Sequence, residues 1–191
     1  MEVPTIKPLD ATTWDAYARI VERNKGVWGG CWCMAFHEEG FGKERSAEKN
    51  RQNKERRVKN GTAHAALVFL GDTAVGWCQF GKPEELPRIK LKAEYNKKIE
   101  TMPDWRITCF FVDKEHRKKG ISEVALNGAL KEIAKLGGGI VESYPEEDLG
   151  QKTSSAFLYN SSIGIFDRNG FERIVKLGKN HWVVRKKVIP V

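Results

Sequence analysis

The sequence has no stretch of about 18 consecutive apolar residues, and its N-terminus carries no basic segment followed by an apolar run. Neither a membrane span nor a secretory leader is therefore expected, no membrane partner is implied, and the cytoplasm is the expected location. Cysteine is scarce. Cys31, Cys33, Cys78 and Cys109 are too few to make a disulfide scaffold of a 191-residue chain. Two of them fall inside predicted strands, so reduced thiols are expected. Disorder is not indicated, because 40% of the residues are hydrophobic. That suffices for a buried core in one domain over 1–191. Acidic residues are outnumbered: 25 Asp and Glu stand against 33 Lys and Arg, a formal charge of +8. This balance suits an acidic partner, either a nucleic acid or a small molecule carrying phosphates, and does not choose between them.

The chain is organised around Asp104 to Leu136. From Trp105 to Val112 only Arg106 is charged, which predicts a strand covered on both faces. From Gly120 onward Leu126, Ala129, Leu130 and Ile133 share a helical face, and Gly137, Gly138 and Gly139 mark the stop. Between strand and helix lies Asp113-Lys-Glu-His-Arg-Lys-Lys-Gly-Ile-Ser122. Outward-facing amides at a helix start, the positive end of its dipole and three basic side chains, Arg117, Lys118 and Lys119, make an anion site, and Gly120 removes the side chain that would hold a phosphate away. A solvated basic turn is the alternative on spacing alone.

These residues resemble the GNAT superfamily of acetyl-CoA-dependent N-acetyltransferases. The signature loop of that superfamily is Arg or Gln, two residues, Gly, one residue, then Gly or Ala. Arg117-Lys-Lys-Gly120-Ile121-Ser122 follows it except at the last position, where Ser122 is still small. Thr108-Cys-Phe-Phe-Val112 is similar to the fourth strand of the family, Asn169-Gly170-Phe171 to the ending of its last helix, and Cys31-Trp-Cys-Met34 to one bacterial branch. The resemblance implies acetyl-CoA as co-substrate. It would be held by the loop from Arg117 to Ser122, by Asn160 at the start of the last helix and by the fourth strand, with a main-chain N–H near Phe111 or Val112 on the thioester oxygen. It also implies an amine acceptor from a small molecule, peptide or protein, acetylated directly in a ternary complex by a monomer or homodimer.

The remaining pattern agrees with an α/β fold. Thr5–Leu9 predicts a strand, and Trp14, Tyr17, Ala18 and Val21 predict a helix capped by Thr12. Lys43–Asn60 predicts a charged helix, Ala63–Leu70 with Ala74–Phe80 a hairpin, and Gly81–Pro103 an excursion with a helix near Leu91–Ile99 that could act as a lid. Ile140–Tyr144 predicts a fifth strand, Asn160–Asn169 the last helix, and Phe171–Val175 with His181–Val188 a closing pair. The expected architecture is a single-domain GNAT-like fold: a mixed, mostly antiparallel sheet of six to seven strands with helices on both faces.

Three chemical roles need residues: a base for the amine, a donor for the thioester oxygen and an acid for the departing thiolate. Glu142, inside an apolar strand, is the first candidate base and His37 the second. Many relatives carry a Tyr four residues before the Gly-Phe pair, where this chain has Phe166. A phenyl ring donates no proton, so either Tyr159, Tyr144 or Ser155 supplies the acid, or water does, or the chain binds acyl-CoA without efficient transfer. The loop before His37 supplies Trp28, Trp32, Met34 and Phe36, which with Tyr144 are the candidate substrate-binding residues. Its Cys-x-Cys pair lacks the ligand count and spacing of structural zinc, so no metal is expected. A non-catalytic nucleic-acid or RNA-associated module is the alternative. It requires the basic residues of Lys43–Lys59 and of the C-terminal pair to form one face with exposed aromatics.

Overall fold

In the computed structural model, which describes residues 2–25, 29–41, 46–147 and 159–191, the chain opens with β1 (Thr5–Pro8) and α1 (Trp14–Arg23). A loop with a 3-10 turn at Glu38–Phe41 leads to α2 (Ala47–Lys59). The hairpin β2 (His64–Leu70) and β3 (Thr73–Gly81) follows, then α3 (Lys92–Lys98), β4 (Trp105–Val112), α4 (Ile121–Lys135), β5 (Gly139–Ser143), α5 (Ile163–Arg168), β6 (Glu172–Leu177) and β7 (His181–Val188). The seven strands form one sheet in the order β1-β2-β3-β4-β5-β7-β6, in which only β4 and β5 run parallel.

Helices cover both faces. On one, Ile121, Ala125, Leu126, Ala129 and Ile133 of α4 pack on Cys78, Phe80 and Ile107, and Phe166 of α5 joins them. Two glycines permit this closeness: a Cβ at Gly76 would lie 2.9 Å from Ile121, and one at Gly128 would lie 2.9 Å from Ile6. On the other face Trp14, Tyr17, Ile20 and Val21 of α1 pack on Leu67, Phe69 and Trp77, together with Trp32, Cys33 and Met34 of the loop. Each buried aliphatic or aromatic side chain here contributes about 1.5–3 kcal/mol of transfer free energy.

Three details differ from the sequence reading. Thr12 does not cap α1, because its N–H and Oγ donate to Asp10 Oδ1 at 2.8 and 2.6 Å and the helix starts after Thr13. The 81–103 excursion is not a free lid: Ile89 and Tyr95 are buried against Tyr144, Leu177 and Val183. The last helix begins at Ile163 rather than Asn160, because the backbone just before it is committed elsewhere.

That commitment arises at a fork. β4 and β5 pair only through Trp105 with Val141, Arg106 with Glu142 and Ile107 with Ser143. The β3–β4 register then shifts, so Thr108 is an extra residue on β4 and the strand bends away. Beyond the bulge Asp113 N–H bonds Val75 O at 2.9 Å. By alternation the amides of Cys109 and Phe111 face β3, and those of Phe110 and Val112 face the opening toward β5.

Candidate active site

The turn leaving β4 forms an open cradle of main-chain amides beside basic side chains. Asp113 Oδ1 accepts the N–H of Glu115 at 3.2 Å and starts a short 3-10 turn, Lys114–His116. Lys118 and Gly120 then take positive φ, 60° and 76°, and Gly120 becomes the N-cap of α4 with no side-chain cap. Among the described residues no protein acceptor takes the N–H groups from Lys118 to Ser122. A Cβ at Gly120 would have no atom within 4 Å, so the space in front of the amides is open. Lys118 and Lys119 are exposed, Ser122 is partly so, and Arg117 Nε donates to Val112 O at 3.3 Å beside the fork. Ile121 differs, since its side chain is buried beneath α4 and only its amide belongs to the turn.

The fork continues the cradle. Phe110 N–H donates to Tyr159 O at 2.7 Å, and Glu146 N–H donates to Ser161 O at 3.2 Å. The residues from Tyr159 to Ser162 thus run between the diverging strands. Asn160 is buried there; its Nδ2 donates to Tyr144 O at 3.1 Å, and its Oδ1 has no partner among the described residues. A buried acceptor left unpaired costs about 1–3 kcal/mol, so this atom suits a ligand N–H entering the fork.

Residues 29–153 match the profile of the acetyltransferase (GNAT) family. The chain belongs to that family. Solved structures share its fold at low identity. An N-acetyltransferase from Staphylococcus aureus Mu50 has a TM-score of 0.55 at 11% identity, covering 97% of this chain and 99% of the other. The PaiA N-acetyltransferase from Thermoplasma acidophilum, solved in complex with coenzyme A, has a TM-score of 0.53 at 16% identity over 97% and 99%. An acetyltransferase from Thermus thermophilus has 0.52 at 12% identity over 98% and 99%. No curated protein sequence matches. As a GNAT enzyme, this protein is an N-acetyltransferase that uses acetyl-CoA as co-substrate.

The groups left open at the turn and the fork suit such a co-substrate in chemistry: amides beside the cations Arg117, Lys118 and Lys119 for phosphates, and the Val112 amide with Asn160 Oδ1 for an amide-bearing arm. Phe111, one of the two sequence candidates on β4, is turned to Trp77 of β3, with rings stacked 4.6 Å apart. Val112 faces the opening. Phe110, which the sequence reading passed over, faces it nearer the fork; only the bulge at Thr108 decides between neighbours, and no glycine or proline marks it.

The other candidates are placed unevenly. Glu142 is fully buried, with Oε1 accepting from Tyr144 OH at 2.6 Å and Oε2 from Arg185 Nε at 2.7 Å. Both carboxylate oxygens are occupied. Tyr144 itself is buried under Tyr95, with ring centroids 6.0 Å apart. His37 is buried too: Nδ1–H donates to Glu85 O at 2.8 Å and Nε2 accepts from Lys54 Nζ at 3.3 Å. Burial first, then the charges of Lys54 and Arg57, push its pKa down to about 2. A histidine in that state is neutral and unavailable as a solvent-facing base.

Of the loop residues, Met34 is buried in the core and Trp32 stacks on Trp14 at 5.9 Å. Phe36 reaches the fork, its ring 5.8 Å from that of Tyr159. Trp28 and Ser155 lie outside the described residues. Phe166 is fully buried between Phe110 and Phe171 at 5.9 and 5.0 Å, an aromatic core position.

Sequence reasoning missed a polar group beside Tyr159. His181 Nε2 lies 3.1 Å from Glu146 Oε1, and Lys90 Nζ lies 3.4 Å from the same nitrogen. Burial, and next the Lys90 charge, hold the His181 pKa below its ordinary value, while the phenol of Tyr159 is pushed up by burial and then by Glu146. The only sequence signal was the position of Glu146 just after the fifth strand.

Proposed function

We propose that the protein acetylates a primary amine of a small molecule or a peptide by direct transfer, with acetyl-CoA and the amine bound together. The observation that carries this reading is the continuity of the amide cradle at Lys118–Ser122 with the open amide of Val112 and the Oδ1 of Asn160, which has no partner among the described residues. The cradle would hold phosphates, and the Val112 amide would polarise the thioester carbonyl. Direct transfer is supported by Cys109: its hydrogen bond with Cys33, then burial, push its thiol well up, so it keeps its proton and is a poor nucleophile.

For the proton steps, Glu146 with His181 takes the base role expected of Glu142, drawing a proton from the amine directly or through water. Tyr159 retains its proton at neutral pH and returns one to the departing thiolate. Phe36 and Tyr159 form the acceptor side of the fork.

The test is a panel of amines scored by release of the CoA thiol, followed by initial rates with both substrates varied. Intersecting double-reciprocal lines support direct transfer. Parallel lines would show an acetyl-enzyme intermediate and overturn that part of the reading.

A further inference from the structure

The loop before the first 3-10 turn and the bulged strand meet at two thiols. Trp32 and Cys33 both adopt φ near +50°, and Tyr17 OH holds the loop by donating to Trp32 O at 3.0 Å. Cys33 Sγ is thereby brought 2.6 Å from Cys109 Sγ, 76 residues away. Cys33 is buried, and Cys109 is partly exposed on the strand that borders the fork. Trp77 Nε1–H donates to Cys33 Sγ at 3.2 Å.

A second observation points to charge. Lys54 is fully buried, its ammonium donating to Gln79 Oε1 at 2.5 Å and to His37 Nε2 at 3.3 Å. No carboxylate among the described residues pairs with it. Burial holds the Lys54 pKa below its ordinary value, and negative charge on Cys33, Cys109 or Cys31 works against that burial to favour the ammonium. Burial opposes ionisation of Cys33, but the Cys109 thiol, the Lys54 charge and the Trp77 N–H outweigh it and bring its pKa down, whereas Cys109 is pushed up.

We propose that Cys33 and Cys109 are an oxidisable dithiol that a hydroperoxide converts reversibly to a disulfide, tying the acceptor-side loop to β4. The Cys33 thiolate attacks a peroxide oxygen and the O–O bond breaks, giving a sulfenic acid on Cys33 and a hydroxide that takes up a proton. Oxidation of Cys33 removes the hydrogen bond that was the main cause of the raised Cys109 pKa; the Cys109 sulfur then attacks Cys33 Sγ, its proton passes to the departing hydroxide, and the S–S bond forms. Two thiols lose two electrons and two protons, and one hydrogen peroxide becomes two waters. Lys54 and Trp77 hold the attacking thiolate, and Cys109 resolves it. This site does not depend on the acetyl-transfer reading.

The experiment exposes the reduced full chain to hydrogen peroxide, blocks remaining thiols with N-ethylmaleimide and maps peptides by mass spectrometry. The expected product is a linked Cys33–Cys109 peptide, reversed by dithiothreitol and retained in a Cys31→Ser, Cys78→Ser double variant. Cys109→Ser should instead accumulate a Cys33 sulfenic acid trapped by dimedone. Lys54→Met, confirmed as folded by its melting profile, should oxidise at least about tenfold more slowly, because the charge that favours the thiolate is removed. A Cys31–Cys33 linkage, or four thiols still open to alkylation after peroxide, would overturn the proposal.

Discussion

Arg23, on the last turn of α1, places Nε and Nη2 2.8 and 2.5 Å from the same carboxylate oxygen of Asp113, 90 residues away. Nη2 also donates to Ala74 O at 3.2 Å, so one guanidinium ties α1 and β3 to the residue where β4 gives way to the turn before α4. Asp113→Asn should lower stability by about 1–3 kcal/mol and weaken acetyl-CoA binding through a loosened turn. Thermal melts and calorimetric titration check both.

The same pair sets an acid dependence. Burial alone would raise the Asp113 pKa, but the Glu115 N–H and Arg23 outweigh it and hold the carboxyl below its ordinary value. A depressed folded pKa means that the stabilisation is present in full above the unfolded value, about pH 4, and is lost as pH falls through the folded value. Wild type should therefore lose more melting temperature between pH 6 and pH 3 than Asp113→Asn does. Equal losses would remove Asp113 from the account.

Glu142→Gln should behave as a structural change. Arg185 loses its charged partner inside the protein, and breaking such a pair costs about 3–5 kcal/mol. At a temperature where the variant remains folded, kcat per folded molecule should stay near wild type. A loss of a hundredfold or more, of the order that general-base catalysis supplies, would restore Glu142 as the base.

Tyr159→Phe should lower kcat by roughly a hundredfold, at the low end for general acid catalysis because a thiolate leaves readily, with acetyl-CoA affinity unchanged. Glu146→Gln should lower kcat similarly and displace the acidic limb of the kcat profile. Unchanged rates in both variants would remove the proton path proposed for the fork.

Much of the frame was legible because local patterns decide it. The apolar run Trp105–Val112, the turn Arg117–Gly120 and the stripe on α4 each depend on near neighbours, and the strand and helix order follows from them. The proton chemistry was not legible, because partners distant in sequence set it. Glu142 is paired with Arg185, 43 residues on, and Tyr144 is covered by Tyr95 from an excursion that sequence alone left as a lid. His37 looked like a loop histidine until Lys54 and Glu85 closed on it. The basic α2 read first as an exposed charged helix, with a nucleic-acid surface as the alternative; in the fold Arg56 and Arg57 pair with Glu39, Arg51 and Lys59 pair with Glu55, and Lys54 is buried.

The most direct measurement is calorimetric titration of acetyl-CoA into wild type, Gly120→Ala and Gly120→Glu at one salt concentration. Among the described residues nothing occupies the space of a side chain at Gly120, so both variants should fold, with about 1–2 kcal/mol of strain from the left-handed backbone. Micromolar binding by wild type, weakened modestly by Ala and abolished by the carboxylate of Glu, is the predicted result. Equal binding by wild type and Gly120→Glu would contradict the phosphate cradle on which the account rests.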